Sequence, residues 1–204
     1  MKKDHLPHSN KILYSEKEGK KDPLKGKKII LEEKTFIPFI TKEKIQEAVK
    51  KIALEAYDQY YHTTPLFIGV LNGVIMFFSD FLKYYPGECN SAFIQLSSYE
   101  NTNSTEKINV LLDWPPSIKN RDILILEDIV DTGNTLKKLQ EMLKGKEVKS
   151  AKTAALFFKP DAFIQKIPID FIGLEIPNKF VIGYGLDYNG LGRNHEELYQ
   201  LEEN

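Results

Sequence analysis

Two adjacent acids, Glu127 and Asp128, follow the apolar run Ile123, Leu124, Ile125, Leu126, and a third acid, Asp131, comes three residues after the second. Thr132, Gly133, Asn134 and Thr135 then open a helix-like pattern. Adjacent carboxylates repel each other, so they persist where they bind hydroxyls, a metal or positive charge. A Gly-containing turn between strand and helix brings backbone N–H groups close to an anion, and a helix N-terminus favours negative charge. A TGNT turn alone is also an ordinary way to begin a helix. With the acids beside it, a ribose 5-phosphate satisfies all these groups together: the diol against Glu127 and Asp128, the phosphate against Thr132 to Thr135. Asp131 then lies between the sugar and phosphate sites, near whatever the ring carries. The Walker pattern G-x-x-x-x-G-K-[ST] is absent, and GYGLDYNG fails the dinucleotide pattern because its third Gly is misplaced.

Such a turn needs a strand before it and a helix after it. ILIL is short and uninterrupted, as in a strand covered on both faces. TLKKLQEMLKG predicts an amphipathic helix ended by Gly145. Upstream, Thr41 can cap a helix whose apolar face reads Ile45, Ala48, Val49, Ile52, Ala56 and Tyr60. PLFIGVLNG predicts a strand ending at Asn72-Gly73. VIMFFSDFLKYY, apolar on nearly all sides, predicts a buried helix. SAFIQLSSY predicts a strand, and ENTNSTEKIN is polar with no core to join. AKTAALFF, DFIGLEI and KFVIGYG predict three more strands. Strands alternating with helices imply an α/β fold with a mainly parallel central sheet flanked by helices. Ligands in such sheets sit outside the carboxyl ends of the strands.

The chain has 204 residues, enough for one domain with appendages, and a formal net charge of -1, so it is not a general glove for nucleic acid. No apolar run reaches the roughly 18 residues needed to span a bilayer. One cysteine, Cys89, allows no intrachain disulfide and points to a reducing, cytoplasmic setting. Met1 to Lys28 holds nine lysines against four acids. Residues 1–33 therefore read as a flexible basic arm, or as an arm that touches a partner subunit or polyanion; residues 34–204 read as the domain.

ILILEDIVDTGNTL resembles the phosphoribosyl diphosphate signature of the type I phosphoribosyltransferases. GVLNGVIMFFSDFL, SSYENT, ALFFKPDAF and DFIGLEIPNKFVIGYGLDYNGLGR resemble hypoxanthine-guanine phosphoribosyltransferase, in the same order and at similar separations, from Lys34 to about Tyr199. The resemblance implies the type I phosphoribosyltransferase fold, with a small hood built from the N- and C-terminal segments. It implies purine salvage with Mg2+: hypoxanthine or guanine attacks C1 of phosphoribosyl diphosphate, giving the nucleoside monophosphate and pyrophosphate. It implies small-molecule partners only, a homodimer or homotetramer, and neither membrane nor nucleic acid. The alternatives on this fold are a xanthine-preferring enzyme or a nucleotide-sensing regulator that binds RNA or DNA.

The same resemblance implies roles. Glu127 and Asp128 would stabilise the oxocarbenium-like sugar and, with Asp187, hold the metal. Asp131 would handle the proton on purine N7. Lys159 would meet the purine O6, Phe180 would stack on the base, and the Val181 main chain would read its edge. Arg193 and the Leu71-Asn72-Gly73 turn would grip pyrophosphate, and Thr132, Gly133, Asn134 and Thr135 the 5'-phosphate. Ser98 and Tyr99 would begin a mobile lid over Glu100 to Asn109. Many relatives carry Lys where this chain has Asn72, and often where it has Asn134.

Overall fold

The computed structural model describes residues 12–13, 27–99, 107–115 and 118–203. The first strands are β1 (Ile12–Leu13), β2 (Lys28–Leu31) and β3 (Lys34–Ile40). Helix α1 (Lys42–Tyr60) starts where the apolar periodicity starts, and the Thr41 hydroxyl accepts the Lys44 N–H. There follow β4 (Leu66–Leu71), α2 (Ile75–Tyr84), β5 (Asn90–Tyr99) and β6 (Lys107–Leu112). The strand carrying the paired acids is β7 (Asp122–Val130), and α3 (Asn134–Leu143) comes next. β8 (Ser150–Phe158), β9 (Phe171–Glu175), β10 (Val181–Ile182) and β11 (Leu198–Leu201) complete the order.

β4, β5, β7, β8 and β9 form a parallel sheet, and β6 adds antiparallel at its edge, in the order β6-β5-β4-β7-β8-β9. Side chains alternate across a strand. In β7 this divides the ILIL run between two cores. Leu124 and Leu126 face α1 and α2 with Ile45, Val49 and Phe77. Ile123 and Ile125 face α3 with Leu136, Leu139 and Trp114. Each such side chain removed from water contributes about 1.5–3 kcal/mol, so β7 is held from both sides. Its C-terminal residues, which carry the acids, inherit that rigidity.

The hood is a second, antiparallel sheet in the order β1-β2-β3-β11-β10. It joins N-terminal and C-terminal segments around Ile29, Leu31, Phe36, Ile182 and Tyr199.

Several sequence-based expectations change here. Lys28–Leu31, inside the expected arm of residues 1–33, is strand β2, because Ile29 and Leu31 alternate into the hood core. Residues 1–11 and 14–26 lie outside the described residues. Lys107, Ile108 and Asn109, placed in a polar loop by composition, begin β6 and pair with Tyr99, Ser98 and Ser97. KFVIGYG yields only the two residues of β10, in the hood. The chain cannot continue extended because Gly183, Tyr184 and Gly185 all have positive φ. β11 was not expected. In α2, Phe77, Phe78 and Phe81 are buried, whereas Ile75 is 56% exposed.

Candidate active site

β4 ends at Leu71, and Asn72, Gly73 and Val74 lead into α2. The Leu71–Asn72 peptide is cis. A Cβ on Gly73 would lie 1.6 Å from Asp128 Oδ2, so only glycine lets the end of β7 approach this turn. A Cβ on Gly185, whose φ is +98°, would lie 1.9 Å from the Gly73 carbonyl oxygen. Three segments distant in sequence thus meet at Gly73, the Gly185 backbone against its carbonyl and the Asp128 carboxylate against its α-carbon. Between them lies a cleft of about 310 Å³, lined by Leu71, Asn72, Gly73, Glu127, Asp128, Thr135, Asp187 and Arg193, with Val70, Leu96 and Ile129 as its apolar wall.

Glu127 is buried, and among the described residues its Oε1 has no hydrogen-bond partner. Burial first, then the Asp128 charge, pushes its carboxyl well above the usual range. Burial likewise pushes Asp128 up to about 6, against the opposing pull of backbone N–H groups and Arg193. A buried carboxylate oxygen with no donor marks a place that a hydroxyl or cation completes. Asp187 faces these acids already paired: Oδ1 lies 2.6 Å from Arg193 Nη2, and Oδ2 accepts the Gly190 N–H. Arg193 also donates from Nη1 to the Gly185 carbonyl at 2.7 Å, which fixes its plane.

The turn after β7 has Gly133 at φ +82°, as the N-cap of α3. A Cβ there would come 2.4 Å from the Phe163 ring, so packing as well as conformation demands glycine. Thr132 Oγ1 accepts from the Asn134 N–H, and Asn134 Oδ1 from Gln165 Nε2 at 2.9 Å. Asp131 Oδ2 receives the Lys159 ammonium at 2.7 Å. Lys159 is 6% exposed, so its charge is held in the protein rather than in water.

Asp131, Lys159, Phe180 and Val181 stand outside the lining of the cleft. Phe180 is 45% exposed in the hood, in contact with Phe36 and edge-on to Tyr188. The Lys34 ammonium lies 4.3 Å from the centroid of Tyr188 and 5.7 Å from that of Phe180. Ser98 and Tyr99 have their backbones in β5; their side chains, and residues 100–106 of the expected lid, lie outside the described residues.

Sequence reasoning missed Gln95, which donates to Asn72 Oδ1 at 3.1 Å. Gln95 pairs with Leu71 near the carboxyl end of a parallel strand, and that position was its available signal. Lys34, Tyr188, Phe163 and Gln165 left no such signal, because long-range packing places them.

Glu127, Asp128 and Asp187 offer hard oxygen ligands of the kind magnesium takes when phosphates complete its shell. The unpartnered Glu127 Oε1 is consistent with that fit. Among the described residues, no cluster of three or more His, Cys, Asp or Glu is arranged to hold a metal ion alone. Among the same residues, no helix is long and apolar enough to cross a membrane.

The phosphoribosyl transferase domain family matches residues 40–189. The hypoxanthine-guanine phosphoribosyltransferase of Bacillus subtilis (strain 168) is 41% identical over 156 residues, 76% of this chain and 87% of that protein. The enzyme of the same name from Streptococcus pneumoniae is 38% identical over 80% of this chain and 92% of its own length. Among solved structures, a hypoxanthine-guanine phosphoribosyltransferase of Bacillus anthracis superposes with TM-score 0.76 at 30% identity, covering 81% of this chain and 98% of that one. A hypoxanthine phosphoribosyltransferase of Staphylococcus aureus does so with TM-score 0.76 at 36% identity, covering 81% and 90%. The chain belongs to the phosphoribosyl transferase domain family, in its hypoxanthine-guanine phosphoribosyltransferase branch.

Proposed function

We propose that the protein salvages purines by transferring 5-phosphoribosyl from phosphoribosyl diphosphate to hypoxanthine or guanine, giving IMP or GMP and pyrophosphate. The observation that carries this reading is the buried Glu127 Oε1, without a hydrogen-bond partner among the described residues, in a cleft that also holds Asp128, Gly73, Asp187 and Arg193. The ribose diol occupies the Glu127 and Asp128 end. Backbone and hydroxyl groups of Thr132 to Thr135 hold the 5'-phosphate at the start of α3. The diphosphate lies against the Asn72-Gly73 turn and Arg193, whose planar fork suits it. As the C1–O bond to diphosphate breaks and the C1–N9 bond forms, positive charge grows on the sugar, and the preorganised carboxylates stabilise it. Asp131 accepts the N7 proton. Lys159 donates to O6, Phe180 stacks on the base, and the Val181 main chain meets its edge.

Magnesium fits Asp187, Glu127 and Asp128, where it would neutralise the charge of the departing diphosphate. Ser98 and Tyr99 lead into the segment that would close over the site and keep water from the reactive sugar. We place the enzyme in the cytoplasm as a homodimer or homotetramer; exposed Val110, Leu111 and Leu112 on edge strand β6 offer an apolar contact surface. The domain would then take in residues 28–204 together with β1 (Ile12–Leu13), which pairs with β2.

The test is a panel of hypoxanthine, guanine, xanthine and adenine with phosphoribosyl diphosphate and magnesium. Transfer to hypoxanthine or guanine, abolished by chelation of magnesium, is the expected result. Preference for xanthine or adenine, or full activity without divalent metal, overturns it.

A further inference from the structure

Tyr184 is among the largest fully buried side chains, yet its φ is +47°, in a region that bulky residues rarely occupy. Gly183 and Gly185 on either side have φ of +97° and +98°. Three successive residues therefore turn the chain left-handed, and the middle one carries a phenol that glycine would have spared. The phenol donates to Asp80 Oδ2 at 2.6 Å and accepts from Gln46 Nε2 at 3.2 Å. Asp80, on α2, also accepts from Gln46 at 2.6 Å and from Lys83 at 2.7 Å. Burial opposes its charge, but the bonds from Lys83, Tyr184 and Gln46 more than offset this and lower its pKa. The Asp80 carboxylate is therefore ionised, and the bond from Tyr184 is charge-assisted.

The two ends of this bond belong to two halves of the cleft. Asp80 rides on the helix that grows out of the Asn72-Gly73 turn. Tyr184 precedes Gly185, whose backbone abuts the Gly73 carbonyl and whose own carbonyl accepts from Arg193 at 2.7 Å. We propose that Tyr184, through its bond to Asp80, is a positioning residue for the diphosphate half of the site, setting the Gly185 carbonyl and with it the Arg193 guanidinium against the Gly73 turn. A left-handed tyrosine is strained unless the surroundings over-determine it, and strain of this kind gathers where geometry must be held. The inference rests on the reading of Arg193 and Gly73 as diphosphate-side groups.

The experiment compares the full-length chain with Tyr184→Phe, Asp80→Asn and Tyr84→Phe. It measures kcat and KM for phosphoribosyl diphosphate and for hypoxanthine, together with the thermal midpoint. Deleting the phenol oxygen should raise KM for phosphoribosyl diphosphate roughly tenfold while leaving KM for hypoxanthine within about twofold. Asp80→Asn keeps an acceptor for the phenol and should retain most of the affinity for phosphoribosyl diphosphate. Tyr84→Phe removes the bond from Tyr84 to Gln46 at the far side of the same network and should move only the midpoint. If Tyr184→Phe does not fold, Asp80→Ala carries the same test with the same criterion. An unchanged KM for phosphoribosyl diphosphate, or equal changes in both KM values, overturns the inference. A wild-type chain that transfers phosphoribosyl to no oxopurine instead overturns the reading of the site on which it rests.

Discussion

The Lys159 ammonium lies 2.7 Å from Asp131 Oδ2, and the two residues follow neighbouring parallel strands, β7 and β8. The Lys159 N–H donates to the Val130 carbonyl at 3.0 Å, so backbone pairing fixes the register of the side-chain pair. The group assigned to the purine O6 is thus charge-paired with the group assigned to the purine proton. An oxopurine that binds both must share the ammonium with the acid. Substitutions at the two positions should therefore couple, as contacting residues generally do.

Lys159→Met keeps the stem and deletes the donor. An ammonium has three donors and no acceptor, so it suits the O6 of an oxopurine and not the 6-amino group of adenine. A site built to hydrogen-bond one group rejects the analogue lacking it by around 10⁴ to 10⁵-fold. We expect kcat/KM for hypoxanthine and guanine to collapse and the gap to adenine to narrow, whereas Phe180→Leu should weaken all bases alike. An unchanged oxopurine-to-adenine ratio in Lys159→Met would place the selectivity in main-chain contacts near Val181 and Asp187.

Asp131→Asn removes proton handling and, by the pairing above, the partner of Lys159. General acid–base groups contribute typically about 10² to 10⁴-fold. The expected outcome is a fall in kcat of that order, a higher KM for hypoxanthine, and little change in phosphoribosyl diphosphate binding. Single-turnover rates with both substrates saturating make the measurement. An unchanged chemical rate would take Asp131 out of the mechanism.

Gly73→Ala puts a methyl group where Asp128 Oδ2 now lies, 1.6 Å from the ideal Cβ position. The end of β7 is packed on both faces, so the carboxylate or the turn must move. Displacements of about 1 Å can cost on the order of 10²-fold in rate. We expect kcat/KM for phosphoribosyl diphosphate to fall by about that factor with far-ultraviolet circular dichroism unchanged. Wild-type kinetics in this variant would mean that the close approach has no part in catalysis.

Asp122 begins β7 far from the acids. Burial opposes its charge, yet Lys149 at 2.7 Å and Ser150 at 2.6 Å hold its carboxyl below the usual range. A lowered native pKa means that the unfolded chain binds the proton more readily. The stabilisation is therefore present above the ordinary carboxylate value near 3.9, and it is lost as pH falls through the native value. Asp122→Asn should be less stable by about 1 kcal/mol at pH 7, since the partner lysine is largely exposed, and the deficit should close as pH falls from about 5 towards 3. Urea midpoints across that range test it; a deficit independent of pH would assign the loss to packing.

The local chemistry was legible from adjacent residues. The uninterrupted run ILIL, the paired acids, the glycine of the TGNT turn and the Thr41 cap each depend on neighbours within a few positions, where periodicity and backbone preference act. The sequence also places Leu71 to Gly73, Glu127 and Asp128 at strand ends and Thr135 in the turn that opens a helix, the family resemblance adds Asp187 and Arg193, and the structure collects them in one cleft.

What tertiary structure decided is which side chains answer each other across long separations. Nothing within ten residues of Lys159 states that Asp131 will pair with it, and nothing near Tyr184 names Asp80. β2 and the first three residues of β6 read as arm and loop because their strand character comes from partners in β3 and β5, not from their own composition. β-structure is stabilised mainly by cross-strand pairing and burial, which a single segment does not contain. The acids and the glycine turn after them could therefore be read from the chain itself, while the ammonium paired to Asp131, the Gln95 contact to Asn72 and the tyrosine strut beneath Gly185 emerge only when β4, β7, β8 and the C-terminal loop pack together.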